Sequence, residues 1–155
     1  MKRILLFIFM CIFSMISCNT NVKNHSENHS GNHSENKYDS AFVEFAKQFN
    51  LLESIDTINL IHVDAKAFQI LDKNMCLATE FSDGFYGGAY NGNNILVLTN
   101  ELLFDNIIFK DNYILLGTYH YTSLDSMSRT VKAYSSKDFY IKHLDAFNAI
   151  IDINK

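Results

Sequence analysis

From residue 38 onward the apolar side chains recur with a period that changes along the chain. Phe42, Phe45, Phe49 and Leu52 are spaced by 3, 4 and 3 residues, which is one face of a helix. Asp39 or Ser40 supplies a side-chain oxygen for the first free N–H groups, so the spacing predicts a helix over 40–54. The period then shortens to two. Segments 57–63, 67–71 and 75–81 read as strands, the last two joined by Asp72-Lys73-Asn74 as a hairpin turn. Met75, Leu77, Thr79 and Phe81 share one face of the third. Residues 94–99 are a continuous apolar run, the mark of a buried strand. Residues 107–109 and 113–122 flank Lys110-Asp111-Asn112 and read as a second hairpin, followed by a strand over 129–134. Ser135 and Asp138 stand at capping-box spacing. Tyr140, Leu144, Phe147 and Ile151 then step by 4, 3 and 4, predicting a helix over 137–152. The expected fold is α+β: an N-terminal helix, an antiparallel meander of six or seven strands and a C-terminal helix, with the helices on one face of one sheet.

The chain ahead of this region is patterned differently. Lys2 and Arg3 precede an apolar run, Ile4 to Ile16, broken only by Cys11 and Ser14. At about 13 residues the run falls short of the roughly 20 needed to span a bilayer. A charged start, a short apolar stretch and a small residue before a cysteine read as an export signal over 1–17. Met15-Ile16-Ser17-Cys18 resembles the lipobox of bacterial lipoproteins. The resemblance covers the signal alone. It implies acylation of Cys18 by palmitate-type chains and tethering to a membrane of the cell envelope, facing the periplasm or the exterior. One acyl chain anchors only marginally, so stable tethering needs more than one.

Residues 18–37 read as the acylated cysteine followed by a disordered leash. Asn24-His25-Ser26-Glu27 recurs as Asn28-His29-Ser30-Gly31 and Asn32-His33-Ser34-Glu35, and Val22 is the lone aliphatic residue between Asn19 and Lys37. Such a segment buries too little to offset its ordering entropy. The third unit, 38–155, has the size of one globular domain. Its wealth of Phe, Ile, Leu and Tyr supports a core without disulfides. Cys11 leaves with the signal and Cys18 is acylated, so Cys76 has no partner and reads as a small buried hydrophobe.

The formal charge of the whole chain is −4, and loss of Lys2 and Arg3 with the signal takes it to −6. With no compact basic patch, nucleic acid is not an expected partner.

Candidate chemistry is sparse. The P-loop, Gly-x-Gly-x-x-Gly, Cys-x-x-Cys, His-Glu-x-x-His and Gly-x-Ser-x-Gly motifs are all missing. No catalytic residue is assigned and no cofactor is called for. His25, His29 and His33 are imidazoles at a spacing of four, which offers weak metal capture if the leash orders on binding. Residues 84–94 are rich in Gly, Asn and aromatic residues, with Asn91-Gly92 reading as a tight turn. Tyr86 and Tyr90 in this stretch, with Tyr119, His120 and Tyr121, form the candidate ligand-binding set. Tyrosine offers an apolar body and a hydrogen-bonding tip. His62 and Asp64 share a strand face and, with His120, give the alternative of a small envelope hydrolase. The main expectation is a binding module for a protein, peptide or glycan rather than an enzyme.

Overall fold

A computed structural model describes residues 38–84, 87–123 and 125–155. The expected export signal, Cys18, the expected leash with His25, His29 and His33, and Tyr86 lie outside the described residues. The chain runs α1 (Ser40–Ala46), β1 (Phe49–Leu51), β2 (Ile61–Asp72), β3 (Met75–Gly84), β4 (Gly87–Leu98), β5 (Ile108–Thr122), β6 (Ser128–Ser135), α2 (Lys137–Lys142) and α3 (Leu144–Ile153). No helix among the described residues is long and apolar enough to cross a membrane.

Strand dominates, and the sheet is not an open meander. The order is β1-β5-β2-β3-β4-β6, with β5 also paired to β6, so five strands close into a barrel and β1 lies outside the ring. Closure depends on one parallel pairing. β6 runs alongside β4, with Ile95 opposite Lys132 and Leu98 opposite Ser135. On its other edge β6 is antiparallel to β5.

Strand alternation sorts the apolar residues into two sets. Val63, Ala65, Ala67, Cys76, Ala78, Ile95, Val97, Phe109, Tyr113 and Tyr134 form one cluster that draws on no helix. It fills the barrel interior. Small residues predominate on β2 and β3 because five strands leave a narrow lumen. The second cluster takes the opposite side chains, including Leu77, Leu96, Ile114 and Leu116, and packs them beneath Phe42, Phe45, Phe139, Phe147 and Ile150 of the helices. All three helices therefore sit on the outer wall of a closed barrel, in place of the expected helices on one face of a single open sheet, and their positions differ from the expected ones.

Several elements differ from the sequence expectation. The N-terminal helix stops at Ala46, with Asp39 accepting from the amide of Ala41 as its cap. Phe49 keeps its place in the apolar stripe, but as a strand residue opposite Tyr119. The expected strands 57–63 and 67–71 are one strand, β2, beginning at Ile61. Lys110-Asp111-Asn112 is not a turn. These residues lie inside β5, opposite Asp64, Val63 and His62. Asn91-Gly92 is likewise no turn but part of an irregularity in β4 facing Glu80. A Cβ on Gly92 would stand 2.8 Å from the Glu80 carbonyl oxygen. The C-terminal helix is broken at His143 into α2 and α3. The Asp72-Lys73-Asn74 turn joins β2 and β3 as expected.

Candidate functional site

β5 carries three of the singled-out residues, and alternation distributes them. Tyr119 and Tyr121 face the outer wall and His120 faces the other way. Tyr119 is buried, 5 % exposed, between Phe49 and Tyr121. Its hydroxyl donates to Oε1 of Gln48 at 2.9 Å. Burial pushes that hydroxyl up to about 12. Tyr119 is thus a core residue whose flat face supports Tyr121, the rings lying 10° from parallel with centroids 6.3 Å apart. His120 is exposed, with Nδ1 and Oγ1 of Thr130 hydrogen-bonded at 2.7 Å.

Tyr90 lies elsewhere. Its ring meets Phe81 edge-on at 5.3 Å, and its hydroxyl donates to Oδ1 of Asp64 at 3.1 Å. Oδ2 of Asp64 in turn faces Nζ of Lys110 at 3.2 Å. Desolvation first, and then the bond to Asp64, raise the Tyr90 hydroxyl above its ordinary value. Lys110, Asp64 and Tyr90 form a polar tie across the outer wall from β5 to β4. His62 lies two residues from Asp64 on the same face and is exposed. His62 and Asp64 point outward, whereas His120 lies on the lumen side of the wall, so the three do not converge. Among the described residues no group of three or more His, Cys, Asp and Glu is placed to hold a metal ion.

Tyr121 does open onto a concavity. An open groove of about 650 Å³ runs over the outer wall beside it. Phe68 and Gln69 contribute from β2, Asn94 from β4, and Ser123, Asp125 and Arg129 from the β5–β6 connection and the start of β6. Each is there for a local reason. The β2–β3 register shifts between Ala67 and Gln69, which leaves Phe68 out of the ladder and 49 % exposed. Asn94 faces outward by alternation from buried Ile95, and its Oδ1 accepts from the Thr79 hydroxyl at 3.1 Å. That bond makes Nδ2 the donor side of the amide.

The β5–β6 connection is a tight turn closed by the amide of Ser123 donating to the Met127 carbonyl at 3.0 Å. Ser126 adopts φ 63° within it. Arg129 reaches back, donating from Nη2 to Asp125 Oδ2 at 3.0 Å and from Nε to Ser123 Oγ at 3.1 Å. Ser123 also donates to Asp125. These bonds, the Ser123 hydroxyl first and the Arg129 guanidinium next, hold the Asp125 carboxyl below its usual range. The pair is charge-neutral and about half exposed.

Phe68, Gln69, Asn94 and Arg129 do not belong to the candidate set read from the sequence. A Ser-x-Asp with an Arg four positions on was the available signal, since it predicts a guanidinium folded over a turn. Comparison with protein-family models, with curated proteins and with solved structures gives no match for this chain.

Proposed function

We propose that this protein is a lipid-anchored component of a bacterial cell envelope, and that its barrel is a binding module rather than an enzyme. Acylated Cys18 holds the domain at a membrane. The groove beside Tyr121 takes a protein, peptide or glycan ligand outside the cytoplasm. The observation that carries the binding reading is the groove itself. It joins two aromatic side chains, Phe68 and Tyr121, to two amides and an ion pair, the mixture of apolar surface and few oriented polar groups that ligand sites use.

Two measurements test this reading. An alkyne-tagged fatty acid fed to expressing bacteria labels the wild-type chain, and Cys18→Ser abolishes the label and releases the protein from the membrane fraction. The immobilised full chain retains a component of detergent-solubilised envelope that the double variant Tyr121→Ala, Arg129→Ala does not. Equal retention by the folded double variant overturns the groove as the binding site.

A further inference from the structure

We infer that the ligand of the groove is a neutral saccharide, a short oligosaccharide without acidic groups. The inference rests on the binding reading above and names the class of ligand. Three features select it. Tyr121 is a prepared platform. Its ring is backed by the parallel ring of Tyr119, itself held by Phe49 at 4.9 Å and by the bond to Gln48. A ring fixed in this way loses little freedom when a ligand stacks on it. The apolar C–H face of a pyranose is such a ligand, and Phe68 offers a second apolar wall.

Charge supplies the second feature. Among the described residues that line the groove Arg129 is the one cation, and Asp125 neutralises it through a hydrogen-bonded pair. An anionic ligand, whether phosphate, nucleotide or uronate, would have to displace Asp125 from Arg129 or lie beside its carboxylate, losing the charge-assisted bonds the pair already makes.

The third feature is the density of polar groups. Gln69, Asn94, Ser123 and the Arg129–Asp125 pair all face the groove. A purely apolar ligand such as an acyl chain would strip water from them and return no hydrogen bond. A polyhydroxyl ligand both donates and accepts, and satisfies them. The volume of about 650 Å³ lies within the range of small-ligand pockets.

The experiment uses the full chain in zwitterionic detergent micelles, because glycosidic detergents would compete. An oligosaccharide array of neutral and acidic glycans is probed first. Isothermal titration calorimetry and saturation-transfer NMR then follow the strongest neutral binder. The expected result is retention of neutral glycans, with transfer to the C–H protons of one sugar face. Tyr121→Ala weakens that binding by about tenfold or more, while Tyr121→Phe keeps most of it. Asp125→Ala leaves Arg129 unneutralised and moves the array preference toward uronates and phosphorylated sugars. Circular dichroism confirms that each variant is folded. An array without neutral binders, or with acidic glycans alone, overturns the inference. If the double variant still loses an envelope component that the array does not reproduce, the saccharide inference falls and the groove stands. If the double variant loses nothing, both fall together.

Discussion

Tyr119 and Gln48 meet twice. The Tyr119 hydroxyl donates to Oε1 of Gln48 at 2.9 Å, and the next amide, that of His120, donates to the Gln48 carbonyl at 2.7 Å. Between them these bonds hold the segment joining α1 to β1 against β5. Tyr119→Phe keeps the ring and removes only the side-chain bond. It should cost about 0.5–1.5 kcal/mol in urea unfolding. Burial of the Tyr119 hydroxyl also makes an alkaline signature. In the unfolded chain the hydroxyl titrates at 10.0, and in the folded chain it is pushed up to about 12. The folded state therefore binds more protons between those values, and stability falls as pH rises from 10 toward 12. Tyr119→Phe should lose less stability than wild type over that interval.

Gly117 lies on β5 as well, opposite Leu51 of β1. Its φ is +138°, and a Cβ there would stand 2.2 Å from the carbonyl oxygen of Asn50. It sits at the irregularity between Leu115 and Gly117 where β5 changes its pairing with β6. Gly117→Ala combines a disfavoured backbone with a backbone clash, and should cost upward of about 2 kcal/mol. Hydrogen exchange should place the earliest opening at Phe49–Leu51, the strand that must withdraw to make room.

The break between α2 and α3 gives a prediction at mildly acidic pH. The His143 ring lies 4.4 Å from that of Phe139. Burial first, and then the charges of Lys142 and Lys73, lower its proton affinity below the ordinary 6.5. The unfolded chain then binds the proton more readily than the folded one. Stability contributed by neutral His143 is complete above 6.5 and is lost as pH falls below it. The urea midpoint of wild type should drop between pH 7.5 and 5 by more than that of His143→Gln.

The sequence made legible those elements whose pattern is local. The apolar stripe of Phe42, Phe45 and Phe49 does face one core, and the aromatic contacts run unbroken from Tyr38 through these residues to Tyr119 and Tyr121. Periodicity could not tell that the helix stops at Ala46, because Phe49 serves the same core from a strand. The two missed continuities have separate causes. Lys110-Asp111-Asn112 carries turn chemistry, yet each of its residues pairs with β2, and ladder bonds outweigh local preference. Asn91-Gly92 is absorbed instead as an irregularity within β4, opposite Glu80. Nor does any local pattern report that β6 will lie parallel to β4, since that choice is made across the closed wall. The groove was partly legible. Tyr121 belongs to the candidate aromatic set and is partly buried against the outer core, but Phe68 reaches the surface through a register shift that only pairing reveals, and Arg129 becomes a site residue only once the chain turns at Ser123.

The seam of the cylinder is the last strand the chain makes. A nascent polypeptide that has emerged only as far as residue 127 has β2 through β5 in hand, but β4 and one flank of β5 are raw edges with no strand to zip them. Ile95 must wait for Lys132, and such distant partners assemble slowly. During that interval the unfinished sheet is a template for pairing with its own kind. Shortening the protein from its carboxyl end by a few tens of residues should therefore produce aggregates rather than a smaller folded relative, and any factor that shields β-edges during synthesis would act before Ser135 appears.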